Sequence, residues 1–132
     1  MPYINWNESY EMGVKEIDVQ HRKLFEFANR LHRALNDGHS KREMDVLING
    51  LASFVDYHFT EEEDHLRQIG FTDLAGYHKS QQDLVDHIKT LRTQYDRART
   101  SSPLVFLDFL RNWLDDHIKS VTPVAVSPTV AR

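Results

Sequence analysis

Three histidines and a glutamate occupy positions where helical periodicity would otherwise place aliphatic residues. His21 comes four residues after Ile17 and three before Leu24, so it shares their inward line. His58 comes four after Phe54, and Glu62 extends the same line by one turn. His117 lies three after Leu114 and four after Trp113. Taken alone, an inward histidine is more often a hydrogen-bonded core residue than a ligand. Three of them with a carboxylate, drawn from three segments, are a different matter, because burying that many polar groups is costly unless something satisfies them. Imidazole with carboxylate suits iron, manganese or zinc, and helical bundles build metal sites from side chains on facing helices. His58 and Glu62, one turn apart, can address one ion from a single helix face.

The remaining histidines read differently. His32 is eleven residues after His21, about 16 Å along a helix axis, which suits a core or bundle-end role. His39, beside Gly38, belongs to a turn, and His87, nine after His78, to a surface. His65, seven after His58, lies two turns along the same stripe and is a weaker candidate. Glu61, Glu63 and Asp64 read as a solvated face.

Four helical segments must position these groups. The first runs from about Asp18 to Asn36 and stops at Gly38, with Ile17, Leu24, Ala28, Leu31 and Leu35 as its stripe. Ser40 and Glu43 form a capping box opening the second, which carries Met44, Leu47, Leu51, Phe54 and Val55 and ends at Gly70. Thr72 or Asp73 caps the third, whose stripe is Leu74, Leu84, Ile88, Leu91 and Tyr95. Ser102 and Pro103 open the fourth, which runs through Leu107, Leu110, Trp113 and Leu114 until Pro123. Long helices joined by short turns predict an all-α, antiparallel up-down four-helix bundle. An extended N-terminal arm is expected to lay Ile4 and Trp6 across one end. The domain is expected to span residues 1–122, with 123–132 as a frayed tail.

The composition narrows the function. A chain of 132 residues, 40% hydrophobic, suits one domain with a single core. Sixteen basic and twenty acidic residues leave a charge of −4, without the basic block that nucleic acid requires. No apolar run approaches the roughly 18 residues of a membrane span, and "MPYINWNESYEMG" lacks the features of a signal peptide. There is no cysteine, which excludes disulfides, thiolate ligands and iron–sulfur clusters. A cytoplasmic protein is expected, with neither nucleic acid nor membrane as partner.

Three stretches, "INWNESYEMGVKEIDVQHRKLF", "HFTEEE" and "FLRNWLDDHI", resemble the hemerythrin family, specifically its bacterial single-domain branch, and the likeness extends from residue 4 to about 122. The resemblance implies a four-helix bundle with a non-haem di-iron centre that binds oxygen reversibly. It also implies one histidine from the first helix, HxxxE from the second, HxxxH from the third and HxxxxD from the fourth. His21, His58, Glu62 and His117 match that pattern, Glu62 at the place of a metal-bridging carboxylate. In the third helix His78 is followed at four by Gln82, and in the fourth the residue five after His117 is Thr122, where the family has a bridging aspartate. The family's first third-helix histidine lies fifteen after the glutamate, which here is Tyr77; His78 is sixteen after it. Tyr77 and Gln81 also fit the apolar stripe slightly better than His78 and Gln82, which sit about 100° round the helix.

The expected function is therefore that of a binding protein and not an enzyme: an iron protein taking up dioxygen or another small diatomic. Its expected ligand set is His21, His58, Glu62, His78 and His117, with Gln82 and Thr122 standing at weakened positions. Phe25, Phe54, Trp113 and Leu114 are expected to wall the site from water. Two readings stay beside this one. The first is a single ion, of iron, manganese or zinc, on His21, His58 and Glu62, with His117 within its reach. The second is a metal-free bundle serving as an interaction or signalling module.

Overall fold

The apolar stripes fold as four helices: α1 (Lys15–Asn36), α2 (Lys41–Gln68), α3 (Leu74–Asp96) and α4 (Pro103–Val126). The computed structural model describes residues 3–38, 41–96 and 103–126, and excludes the side chains of residues 41, 94–96, 103–104 and 122–126. The expected caps Ser40 and Ser102, as well as His39, lie outside the described residues, as does the side chain of Thr122. Each helix packs on its neighbours in a ring, α1 on α2, α2 on α3, α3 on α4 and α4 back on α1. The protein is an all-α four-helix bundle.

Its core is a continuous column. Ile17, Leu24, Ala28 and Leu31 of α1 are buried against Met44, Ile48, Leu51 and Val55 of α2, with Leu84, Ile88 and Leu91 from α3 and Leu107, Leu110, Leu114, Ile118 and Val121 from α4. Burial of aliphatic side chains on this scale, about 1.5–3 kcal/mol each, is what holds helices of modest intrinsic propensity together. No described helix is long and apolar enough to cross a membrane.

Helix ends follow from local chemistry. α2 closes on Gly70 in the left-handed region (φ 75°). There the Phe71 amide donates to the Leu66 carbonyl at 2.9 Å and the Gly70 amide to Arg67 at 3.2 Å, a Schellman closure. Of the two candidate caps for α3, Asp73 takes the role: its Oδ1 accepts the Gly76 amide at 3.1 Å. α4 opens on Pro103, as expected. It does not stop at Pro123 but continues to Val126. Proline forfeits one donor and crowds the carbonyl four residues back, yet its fixed φ is itself helical, so the helix can persist for a few residues beyond it.

The arm also differs from expectation. It runs lengthwise along α1 and α4 instead of crossing one end. Ile4 is buried and exchanges two hydrogen bonds with Asn29, at 2.9 and 3.0 Å. Tyr3 stacks on half-buried His32 and donates to Asp108. Trp6 meets Phe25 edge-on at 5.2 Å. After a 3₁₀ turn (Glu8–Tyr10), the Tyr10 hydroxyl reaches Asp115 at 3.0 Å. Asp18, buried at the start of α1, accepts the Met12 and Gly13 amides at 2.9 and 3.3 Å and fixes the joint between arm and helix.

Candidate metal centre

Four donor groups converge inside this column. His21 comes from α1, His58 and Glu62 from successive turns of α2, and His117 from α4. One ligand atom from each lies within 4.8 Å of all the others, and all four side chains are buried. Glu62 is the hub. Its Oε2 accepts from His21 Nε2 at 2.6 Å and lies 3.3 Å from His58 Nε2. Its Oε1 lies 2.6 Å from His117 Nε2. The Nε2 atoms of His58 and His117 approach the carboxylate outside hydrogen-bonding geometry and are buried without another partner. Buried nitrogens with lone pairs crowded on a carboxylate suit a cation as the group that satisfies them.

The electrostatics agree. Burial on its own would raise the Glu62 carboxyl, but the close imidazoles of His117 and His58, with the hydrogen bond from His21, hold it well below the usual carboxylate range. The donor set therefore presents a carboxylate, as a metal ligand must be.

Two neighbours not singled out by the sequence complete the arrangement. Gln20 is buried, and its Oε1 accepts the Nδ1 proton of His58 at 2.9 Å, which leaves Nε2 as the lone-pair nitrogen facing Glu62. Its position was detectable, since it lies three after Ile17 and four before Leu24, a polar residue on the apolar line. Phe59, also buried, sets its ring against His117, Tyr77 and Trp113 at 6.1, 6.2 and 5.8 Å. Among the expected wall residues, Trp113 stacks flat on His117 at 4.4 Å, Phe54 lies parallel to His58 at 6.5 Å, and Leu114 is fully buried. Phe25 packs under Trp6 and Tyr10 of the arm.

The third helix contributes Tyr77 to this core and leaves His78 outside it. Tyr77 is only 5% exposed and donates its hydroxyl to Glu62 Oε1 at 2.9 Å. Burial first, and then the charge of Glu62, push its phenol strongly upward, so it stays a neutral donor. His78 is exposed and pairs with Glu63, and Gln82 is exposed and bonds to Asp86. Neither joins the four donors. The 100° step between adjacent helical residues explains this, because Leu84 and Ile88 fix which face of α3 turns inward. His65 is half-buried and His87 exposed against Phe109, both outside the cluster.

The comparisons with known proteins agree with this geometry. Residues 12–121 match the family model described as the hemerythrin HHE cation binding domain. A bacteriohemerythrin of Clostridium acetobutylicum is 31% identical over 121 residues, covering 86% of this chain and 91% of that protein. A hemerythrin-like protein of Naegleria gruberi is 29% identical over 115 residues, covering 87% and 84% of the two chains. The crystal structure of a wild-type hemerythrin superposes with a TM-score of 0.80 at 24% identity, over 95% of this chain and 99% of that one, a likeness of fold. With its family model spanning nearly all of the bundle, and its inward histidines and glutamate gathered at one centre, the chain belongs to the hemerythrin family.

Proposed function

We propose that this chain is a non-haem iron protein that takes up dioxygen or a similar diatomic molecule in the bundle core, as a binding protein and not an enzyme. The observation that carries the reading is the convergence of His21, His58, Glu62 and His117, all buried, with their donor atoms within 4.8 Å of one another. Imidazole and carboxylate donors also suit manganese and zinc; membership of the hemerythrin family is what favours iron. Bound ferrous iron would supply electrons and open coordination positions to a diatomic ligand. The chain does the rest. Gln20 orients His58, Trp113 backs His117, and Phe59 and Leu114 keep bulk water away.

Iron content per chain after anaerobic loading, followed by visible spectra before and after admission of oxygen and then of nitric oxide, tests this. Retained iron with a reversible spectral response to either gas is the expected result. Iron retained without any response removes the diatomic-binding reading. No retained metal removes the metal centre altogether and favours an interaction module.

A further inference from the structure

The two oxygens of Glu62 have different surroundings. Oε2 faces His21 and His58, whereas Oε1 faces His117 and also carries the hydrogen bond from Tyr77. A carboxylate that bridges two ions offers an oxygen to each, and the ion beyond Oε1 would need further donors from α3. On the inward line of that helix stand a phenol, Tyr77, and an amide, Gln81, which is half-buried beside it. The imidazole of His78 is turned to solvent and engaged with Glu63. The Tyr77 ring fills the approach instead, packed edge-on against Phe59 and tilted against His117 at 5.9 Å. Between α3 and α4 a half-open cleft of about 250 Å³ is lined by Tyr77, His117, Ser80, Ser120, Asp73 and Asp116 among others. Tyr77 thus borders both that cleft and the carboxylate.

We propose that Tyr77 is a positioning residue that caps Oε1 of Glu62, keeps this carboxylate terminal on one ion, and so limits the centre to a single metal ion per chain. This rests on the metal reading above and goes beyond it in stoichiometry and in the role of α3. The ion's protein donors are then the Nε2 atoms of His21, His58 and His117 and one oxygen of Glu62. The capped oxygen is held by a neutral phenol, as ligating carboxylates generally are held by a neighbouring donor.

Cobalt(II) is the probe, because its visible bands report coordination number and it does not require exclusion of air. Titration of the full chain should saturate at one cobalt per chain. Tyr77→Phe, which keeps the ring and the packing, should still bind one, with affinity weakened about tenfold or more and with altered band intensities as Glu62 is released. Tyr77→His, which adds an imidazole on the inward line, should raise the cobalt content toward two. Helical circular dichroism checks that each variant is folded. A wild-type chain saturating at two cobalt ions overturns the cap. So does a Tyr77→Phe variant that matches the wild type in affinity and spectrum while differing only in thermal stability, since that is the mark of a merely structural tyrosine. A wild-type chain that binds no cobalt overturns the underlying metal reading, and the cap with it.

Discussion

His58 shows how much of a metal ligand's behaviour is decided by the residue behind it. Its Nδ1 proton is committed to Gln20, so its other nitrogen is presented to the cluster as a lone pair. Gln20→Ala removes that constraint without touching any donor. Metal affinity should fall about 10- to 100-fold with the helical content unchanged, measured by competition against a chromogenic chelator. At this scale much was legible in advance. His21, His58, Glu62 and His117 sit on apolar lines, and a polar residue on an apolar line must point inward. Gln20 obeys the same rule, but an amide beside a histidine attracts less notice than the histidine. Tyr77 and His78 show the limit of spacing alone. The two differ by one residue, and only the anchoring of α3 by Leu84 and Ile88 decides which one is buried.

Among the elements, the entry to α3 is finely balanced. Asp73 caps it by accepting the Gly76 amide, and a Cβ placed on Gly76 would come within 2.5 Å of Asp73 Oδ2. Asp73→Ala should cost about 1 kcal/mol through the lost cap. Gly76→Ala gains about 1 kcal/mol of helix propensity but displaces the same carboxylate, so alone it should be close to neutral. In the Asp73→Ala background nothing remains to be displaced, and the alanine should stabilise by about 1 kcal/mol. Urea melts of the four proteins form a double-mutant cycle with a clear non-additive term. Helix existence and face were readable here because the stripes are long and periodic. The end of α4 was not, since proline weakens a helix by a lost donor and a crowded carbonyl without dictating the residue at which it stops. The course of the arm was hidden too, because its partners Asn29, Asp108 and Asp115 are far away in sequence and carry no periodic signal.

For the whole molecule, the centre is both a functional site and a stability problem. Three imidazoles and a carboxylate are buried inside the bundle, where aliphatic packing would otherwise run unbroken. A metal that binds the folded chain and not the unfolded one should raise the melting temperature in proportion to the logarithm of free metal, by about 2.7 kcal/mol of added stability at a hundredfold excess over Kd. Calorimetry across a metal titration, with Glu62→Gln as the control that should show no such rise, checks this.

The clasp formed by the arm has a further consequence, which concerns time. Helical bundles fold quickly because most of their contacts are local, yet the bonds from Tyr3 to Asp108 and from Tyr10 to Asp115 each close a loop of 105 residues. Such contacts form after the helices have met, so they weigh on escape from the native state more than on its formation. Tyr10→Phe deletes one of them at a cost of about 1 kcal/mol. It should speed unfolding about fivefold and leave the refolding rate nearly unchanged in stopped-flow experiments. The arm from Tyr3 to Met12 acts as its brake.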